Sequence, residues 1–253
     1  MTEASNTKAA VVTGASTGIG EATVRALRAE GWTVYAVARR QERLAALAAE
    51  TGAVAVPADI AEDADVARLL AEVTAGGGID TLINIAGGAR GADPVGQAQT
   101  DDWEWMYRVN VLGTMKLTRA FLPMLREHGE GTVLNLTSTA GLVAYEGGAG
   151  YNAAKFAQHA MTNALRLEEA ENNVRVIEVA PGLVRTEEFA LMRLGDEQAA
   201  QNVYQGVEKP LTAEDVADVV RYAVSAPHHV NLDQIVMRPV AQAANHKLIR
   251  KQA

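Results

Sequence analysis

The 253-residue chain contains no cysteine. That absence excludes disulfides, thiolate zinc sites and a cysteine nucleophile. No apolar run approaches the roughly 18 residues of a membrane span. The polar start, Met1 to Lys8, lacks the apolar core of a secretory signal. No fixed-period repeat suggests a solenoid, and no low-complexity run divides the chain. Net positive charge is missing too. The formal balance is -8, which argues against nucleic acid and anionic membranes as partners. One local basic pocket for a small anion stays compatible with it. The expected compartment is the cytoplasm.

Hydrophobic residues make up 48% of the chain, enough at this length for a full core. Strands are predicted over 9–13, 33–38, 53–57, 81–85, 132–137, 174–179 and 234–237. Helices are predicted over 19–30, 40–50, 62–75, 103–125, 153–170 and 212–225. Short apolar strands alternating with helical patterns signal βαβ units and a parallel sheet buried on both faces. The expectation is an α/β protein: a single Rossmann-fold domain over 1–253, its doubly wound, parallel, seven-stranded sheet carrying helices on both faces. A ligand should then sit outside the carboxyl ends of the strands. The irregular stretch between Pro181 and Pro210 is too long for a plain connection. A substrate lid is expected at about 183–210, and a C-terminal tail at about 239–253.

Thr13-Gly14-Ala15-Ser16-Thr17-Gly18-Ile19-Gly20 follows the first strand and opens the first helix. Glycines let the backbone turn tightly and approach a pyrophosphate. The helix N-terminus adds free N–H groups and a positive dipole end, and Ser16 and Thr17 can add hydroxyls. The spacing is Gly-x-x-x-Gly-x-Gly rather than Gly-x-Gly-x-x-Gly. Its place between strand and helix, more than the glycines alone, marks it as a dinucleotide loop. An NAD site places an acidic residue at the end of the second strand for the ribose 2′-hydroxyl. Ala38 stands there instead, followed by Arg39-Arg40. A guanidinium holds a 2′-phosphate through charge-assisted pairs, so NADP(H) is expected ahead of NAD(H).

Tyr151-Asn152-Ala153-Ala154-Lys155 puts a phenol and an ammonium four residues apart, on one face of a helix. A free tyrosine titrates near 10, too high for efficient proton transfer at neutral pH, and a neighbouring ammonium should lower that value. Ser138, just past the strand ending at Thr137, can donate to a substrate carbonyl as negative charge develops. Taken singly, each of these is an ordinary helix or turn residue.

Together with further motifs they resemble the short-chain dehydrogenase/reductase family over nearly the whole chain. The matching elements are the Thr13–Gly20 loop, Asp59-Ile60, Asn84-x-Ala86-Gly87, Asn110, Ser138, Tyr151-x-x-x-Lys155, and Pro181-Gly182 followed by Thr186. The resemblance implies that Tyr151 transfers the proton and Ser138 orients the carbonyl. Lys155 would bind the nicotinamide ribose and tune Tyr151, while Asn110 would hold a water linking Lys155 to solvent. Asp59 and Ile60 would meet the adenine, and Asn84, Ala86 and Gly87 would border its ribose. Pro181, Gly182, Val184 and Thr186 would cradle the nicotinamide end. A homotetramer, or a homodimer, is implied on the same ground. The C-terminal part, Arg221 to Pro239, is similar to an NADP-dependent subgroup that includes clavulanic acid, serine and 3-hydroxy-acid dehydrogenases. One position departs from the pattern: Ile85 replaces the family's second asparagine, a change that touches stability more than chemistry.

The substrate pocket is expected between Thr139–Tyr145, Leu183, Val184 and the segment from Glu187 to Gln205. Thr139, Ala140, Leu142, Val143, Leu183, Phe189, Leu191 and Met192 make that wall mostly apolar, with Tyr145 and Glu146 as polar contacts. A mid-sized, largely apolar ketone or secondary alcohol fits it, and reduction is the expected direction. Trp103, Trp105 and Met106 read as packing residues, His159 as part of a helix-packing face, and His228-His229 as a turn or subunit contact; no metal is expected. An NAD(H)-linked secondary alcohol dehydrogenase and a non-catalytic NADP(H)-binding regulator are the alternatives.

Overall fold

Successive side chains of a strand point to opposite faces of its sheet, and here both sets are apolar. Ala10 and Val12 of β1 (Ala9–Thr13) join one buried cluster, and Val11 between them joins another. The same alternation splits β2 (Thr33–Ala38), where Val34 and Ala36 face one cluster and Tyr35 and Val37 the other. A strand buried on both faces belongs inside a parallel sheet. The computed structural model, which describes residues 8–186 and 188–251, shows that sheet.

Its remaining strands are β3 (Val54–Pro57), β4 (Thr81–Asn84), β5 (Thr132–Leu136), β6 (Arg175–Pro181) and β7 (Gln234–Met237). The order is β3-β2-β1-β4-β5-β6-β7, with every pairing parallel. Connections therefore run outward in opposite directions from the β1/β4 pair, and the crevice at the carboxyl ends opens at that reversal.

Three helices cover one face: α1 (Gly18–Ala29), α2 (Gln41–Thr51) and α9 (Ala213–Ser225), through Val24, Leu27, Leu44, Leu47, Val216 and Val220. The other face carries α3 (Asp63–Ala75), α5 (Thr114–His128) and α6 (Ala149–Glu169), through Leu69, Val73, Leu117, Phe121, Leu125 and Leu165. Each fully buried side chain of this size contributes about 1.5–3 kcal/mol. Both faces are thereby closed, leaving the strand ends as the place for a ligand.

Several boundaries differ from the sequence reading. The helix expected over 103–125 is α4 (Thr100–Tyr107), a π-helical turn over Arg108–Gly113, and α5. The wider turn is where Asn110 enters the interior, and Gly113 lets it close against the Ile60 side chain. The helix expected from 153 begins at Ala149, so Tyr151 lies in its first turn. Thr212 caps α9 rather than beginning it, in a reciprocal capping box with Asp215.

The stretch after β6 holds two short helices, α7 (Phe189–Leu194) and α8 (Glu197–Tyr204), and a parallel bridge between Val184 and Leu211 joins the segments before and after them. Glu187, expected in the pocket wall, lies outside the described residues. The tail forms a small antiparallel pair, β8 (Gln242–Ala244) with β9 (Lys247–Leu248). It is pinned to the rest of the chain: Gln242 Oε1 accepts from Leu183 N at 2.8 Å, and Lys251 N donates to Gly206 O at 2.8 Å. Among the described residues no helix is long and apolar enough to cross a membrane.

Candidate active site

The carboxyl ends of the strands open onto a cavity of about 670 Å³. The phosphate loop supplies Gly14, Ser16, Thr17, Gly18, Ile19 and Gly20 to its wall, and the end of β2 supplies Arg39 and Arg40. Asp59, Ile60, Ala86 and Gly87 follow, then Ser138, Tyr151 and Lys155, then Pro181, Gly182, Val184 and Thr186. Segments far apart in sequence thus converge because all of them leave the same edge of the sheet.

The loop end fits a dinucleotide on its own geometry. Gly14 and Gly18 adopt positive φ, 70° and 54°, which L side chains resist. A Cβ at Gly20 would collide with the Gly14 carbonyl oxygen. No side chain caps α1 at Thr17, so its first-turn N–H groups remain available to an anion. The two arginines divide. Arg40 donates to Ser16 Oγ at 3.0 and 3.2 Å and pairs with Glu188 at 2.6 Å. That pairing, with Arg43 alongside, holds the Glu188 carboxyl below its ordinary range. Arg39 is exposed at the rim with no ion pair among the described residues. Both arginines line the cavity; Arg40 is tied to Ser16 and Glu188.

Asn84 and Asn110 lie behind the wall rather than in it. Asn84 Nδ2 donates to Asn135 Oδ1 at 2.9 Å, while its buried Oδ1 has no partner. The π-helical turn puts Asn110 fully inside, where Nδ2 donates to Gly88 O at 2.9 Å and Met106 O at 2.8 Å. Gly87 must lack a side chain: a Cβ there would strike Asn110 Oδ1 and stand 3.6 Å from Lys155 Nζ.

Lys155 is buried, and its Nζ donates to Gln158 Oε1 at 2.7 Å and Leu136 O at 3.2 Å. Gln158, fully buried, donates from Nε2 to Thr114 Oγ1 at 3.3 Å, and Thr114 donates on to Asn110 O at 2.8 Å. A side-chain path therefore joins Lys155 to Asn110. Sequence reading passed over Gln158, since a glutamine one turn beyond a lysine carries no signal until its burial is known.

Burial pushes the Lys155 pKa down to about 7, against a smaller upward pull from buried Glu178. Glu178 is itself held by Thr137 Oγ1 at 2.6 Å and by His159 Nδ1 at 2.8 Å, so His159 lies outside the cavity, paired with a carboxylate. The unfolded chain binds more protons than the folded one between about pH 7 and the ordinary lysine value of 10.5. Stability should therefore rise with pH across that window, the buried ammonium costing its full desolvation below it. Lys155→Met is expected to flatten the rise in thermal midpoint between pH 7 and 9. A variant that gained as much as wild type over that range would count against this.

Tyr151 is buried, and that burial drives its pKa upward, reinforced by Tyr145; the Ser138 hydroxyl and the Arg193 charge pull the other way. The downward tuning expected from Lys155 does not show here. Its Nζ lies 5.8 Å from the centre of the phenol ring, with its hydrogen bonds directed elsewhere. Desolvation wins and keeps the phenol protonated. Ser138 opens a 3₁₀ turn, Thr139–Gly141, accepting from Ala140 N at 3.1 Å.

That turn corrects the expected pocket. Thr139 and Ala140 coil into the interior, and Leu142 stands away from the cavity. Val143 is carried outward, 49% exposed, with Asn245 of the tail bonded to its carbonyl and to that of Thr139. Tyr145 stands behind the wall, its hydroxyl taken by Arg193 Nη1 at 2.9 Å. Leu183, Phe189 and Met192 do line the cavity, joined by Ala190, Leu194 and Val203. Phe189 meets the Tyr151 ring edge-on at 5.7 Å. Trp105, read as packing, is also in the wall, with the Arg90 guanidinium 4.1 Å from its ring centre.

The family model for short chain dehydrogenases matches residues 8–197. An uncharacterized oxidoreductase of Mycobacterium tuberculosis is 49% identical over 238 residues, 94% of this chain and 93% of that protein. An NADP-dependent 3-hydroxy acid dehydrogenase of Shigella flexneri is 38% identical over 237 residues, 92% and 95% of the two chains. The solved closed form of a serine dehydrogenase with NADP+ superposes with a TM-score of 0.91 at 37% identity, covering 96% of this chain and 100% of that one. The loop that fits a dinucleotide, the free arginine beside it and these matches converge: the chain belongs to the short-chain dehydrogenase/reductase family and is an NADP(H)-dependent oxidoreductase acting on CH–OH groups.

Proposed function

We propose that the chain works as a carbonyl reductase, converting a ketone or aldehyde to an alcohol, with Tyr151 as the proton donor. The observation that carries this reading is that Ser138, Tyr151 and Lys155 share one cavity with the phosphate loop. NADPH, when bound, supplies the hydride. Ser138 donates a hydrogen bond to the carbonyl oxygen and holds it beside the phenol. Tyr151, kept protonated by burial, gives its proton to that oxygen as negative charge develops there. Lys155 offsets the phenolate left behind, and Gln158 holds its Nζ at 2.7 Å. Asn110, at the far end of the side-chain path, braces the backbone at Gly88. Arg39, Ser16 and the α1 N-terminus hold the phosphates. Pro181, Gly182, Val184 and Thr186 border the opposite end, and the segment over 183–210 acts as a lid that excludes water. The relatives named for serine and 3-hydroxy acids support a small hydroxylated or oxo substrate. Cytoplasmic residence and a homotetramer belong to the same reading, on the sequence and the family resemblance.

The test is NADPH oxidation across a panel of ketones, aldehydes and oxo acids, with product chirality measured. An apolar wall on one side of Tyr151, built by Phe189 and Met192, should deliver one enantiomer from a prochiral ketone. Racemic product, or no oxidation with any member of the panel, would overturn the proposal.

A further inference from the structure

Glu178 is a carboxylate with no exposure, in the middle of β6. Its strand neighbours Ile177 and Val179 join the apolar cluster under α1, α2 and α9, while Val176 joins the other. By the alternation of a strand, Glu178 faces α6, the helix that carries Tyr151 and Lys155. A charge withdrawn from water is costly unless it is paired and hydrogen-bonded. Three groups meet this one, each from a different part of the chain. Thr137 Oγ1, just past β5, donates at 2.6 Å; His159 Nδ1 of α6 lies 2.8 Å away; Gln234 Nε2 of β7 donates at 3.0 Å. Asn163 Nδ2 reaches the other ring nitrogen of His159 at 3.0 Å. Arg166, the next cation along α6, is directed instead to Val176 O, Asn163 and Asp233. Apolar residues of like volume hold such a place at no greater cost, so packing alone gives no reason for the carboxylate.

Its contacts lie next to the reacting groups. Thr137 stands between Leu136, whose carbonyl accepts from Lys155 Nζ at 3.2 Å, and Ser138. Fixing the Thr137 side chain therefore fixes the acceptor of one of these groups and the backbone of the other. His159 is one helical turn beyond Lys155, on the same face, so the same carboxylate sets how α6 lies on the sheet. It also acts through space. Burial lowers the Lys155 pKa, and the charge that opposes it is Glu178. Among the described residues the other groups around the Lys155 ammonium are neutral: the Tyr151 phenol and Gln158 on α6, Asn110 beyond Gly87, and the Leu136 carbonyl.

We infer that Glu178 is a positioning residue for the reaction: it holds residues 136–138 in place and supplies the negative charge that keeps Lys155 an ammonium. The assignment rests on the reductase reading above, in which Lys155 offsets the phenolate of Tyr151. His159 is the hydrogen-bonded partner with which the carboxylate stays buried.

The test follows the Lys155 ammonium itself, by carbon-13 NMR of the full chain labelled at lysine Cε, its signal identified by its loss in Lys155→Met. In Glu178→Gln the midpoint of its titration should fall by about 0.5–1 pH unit, the scale of one buried charge acting across several ångströms. In NADPH-linked reduction of a ketone or aldehyde that the wild type turns over, the pH at which the rate is halved should fall by the same interval. Glu178→Asp, which keeps the charge, should restore most of both. A purely structural loss would lower the rate at every pH alike and leave both midpoints in place. If Glu178→Gln does not fold, Glu178→Leu/His159→Leu, which removes the charge together with its partner, takes its place with the same expected fall. An unmoved Lys155 titration in the folded variant, or a fall that Glu178→Asp reproduces in full, overturns the assignment. A titration that moves in a protein reducing no carbonyl compound would uphold Glu178 as the opposing charge and defeat the reductase reading, so the two fail separately.

Discussion

Tyr151→Phe is expected to lower kcat for NADPH-linked carbonyl reduction by about 10²- to 10⁴-fold, the usual worth of a positioned proton donor. NADPH affinity should be nearly unchanged. The substitution removes one oxygen and keeps the ring, so the edge contact with Phe189 and the packing of α6 persist. What is lost is the proton delivered to the forming alkoxide, together with the phenol's share in orienting the carbonyl. The direction of the Tyr151 shift sharpens the expectation. A phenol held protonated by burial is ready to donate and reluctant to accept. The Tyr151 proton should therefore stay available through neutrality, so a fall in reduction rate near pH 7 would report loss of the Lys155 charge, while alcohol oxidation, which needs the phenolate, should accelerate as pH rises. Stopped-flow traces in both directions, with NADPH binding followed by fluorescence, check both statements. Unimpaired turnover in the Tyr151→Phe protein would place the proton donor elsewhere in the cavity.

The second large effect concerns the cofactor. Ala38→Asp combined with Arg39→Ala is expected to raise the Michaelis constant for NADPH by about 100-fold or more and to lower the one for NADH. Removing a charge-assisted pair costs about 1.5–3 kcal/mol, and a carboxylate facing the 2′-phosphate adds repulsion. Arg39, with no ion pair among the described residues, is the residue on which this expectation rests. Arg40 is already engaged with Ser16 and Glu188, so Arg40→Ala should loosen the loop and affect both cofactors alike. Michaelis constants for both cofactors in the two variants decide it. Loss of NADPH preference in the Arg40 variant alone, with Ala38→Asp/Arg39→Ala unaffected, would reverse the assignment.

Much of this was legible from residue order. Continuous apolar runs such as Ala10-Val11-Val12 and the 3.6-residue pattern of α1 and α9 are local signals, and β7 fell on its expected bounds, Gln234–Met237. The phosphate loop and the Tyr151–Lys155 spacing are equally local, because a tight turn and a helical face need only neighbours in sequence. The π-helical turn at Asn110 was not legible: an extra residue per turn leaves the apolar pattern of α4 and α5 nearly continuous. The wall formed by Thr139 to Tyr145 was misplaced for a similar reason. Apolar character allows Val143 a place in the wall, but the 3₁₀ turn after Ser138 and the tail residue Asn245 go with a position outside it.

The sequence by itself determined the alternation of strands and helices, the glycine-rich loop, the absence of an acidic residue after β2, and the Tyr151–Lys155 spacing. Each is set by interactions within a few residues, or by a residue type whose chemistry does not depend on its surroundings. Only the tertiary structure decided which charges remain free. Glu188 takes Arg40 and leaves Arg39 exposed at the rim; Gln158 takes Lys155 and leaves the Tyr151 phenol to desolvation; Tyr145 and Gly147 take Arg193. Burial and pairing are properties of distant segments brought together, and the Arg40–Glu188 contact spans 148 positions. A pattern of residue types cannot encode which of several arginines that contact will satisfy.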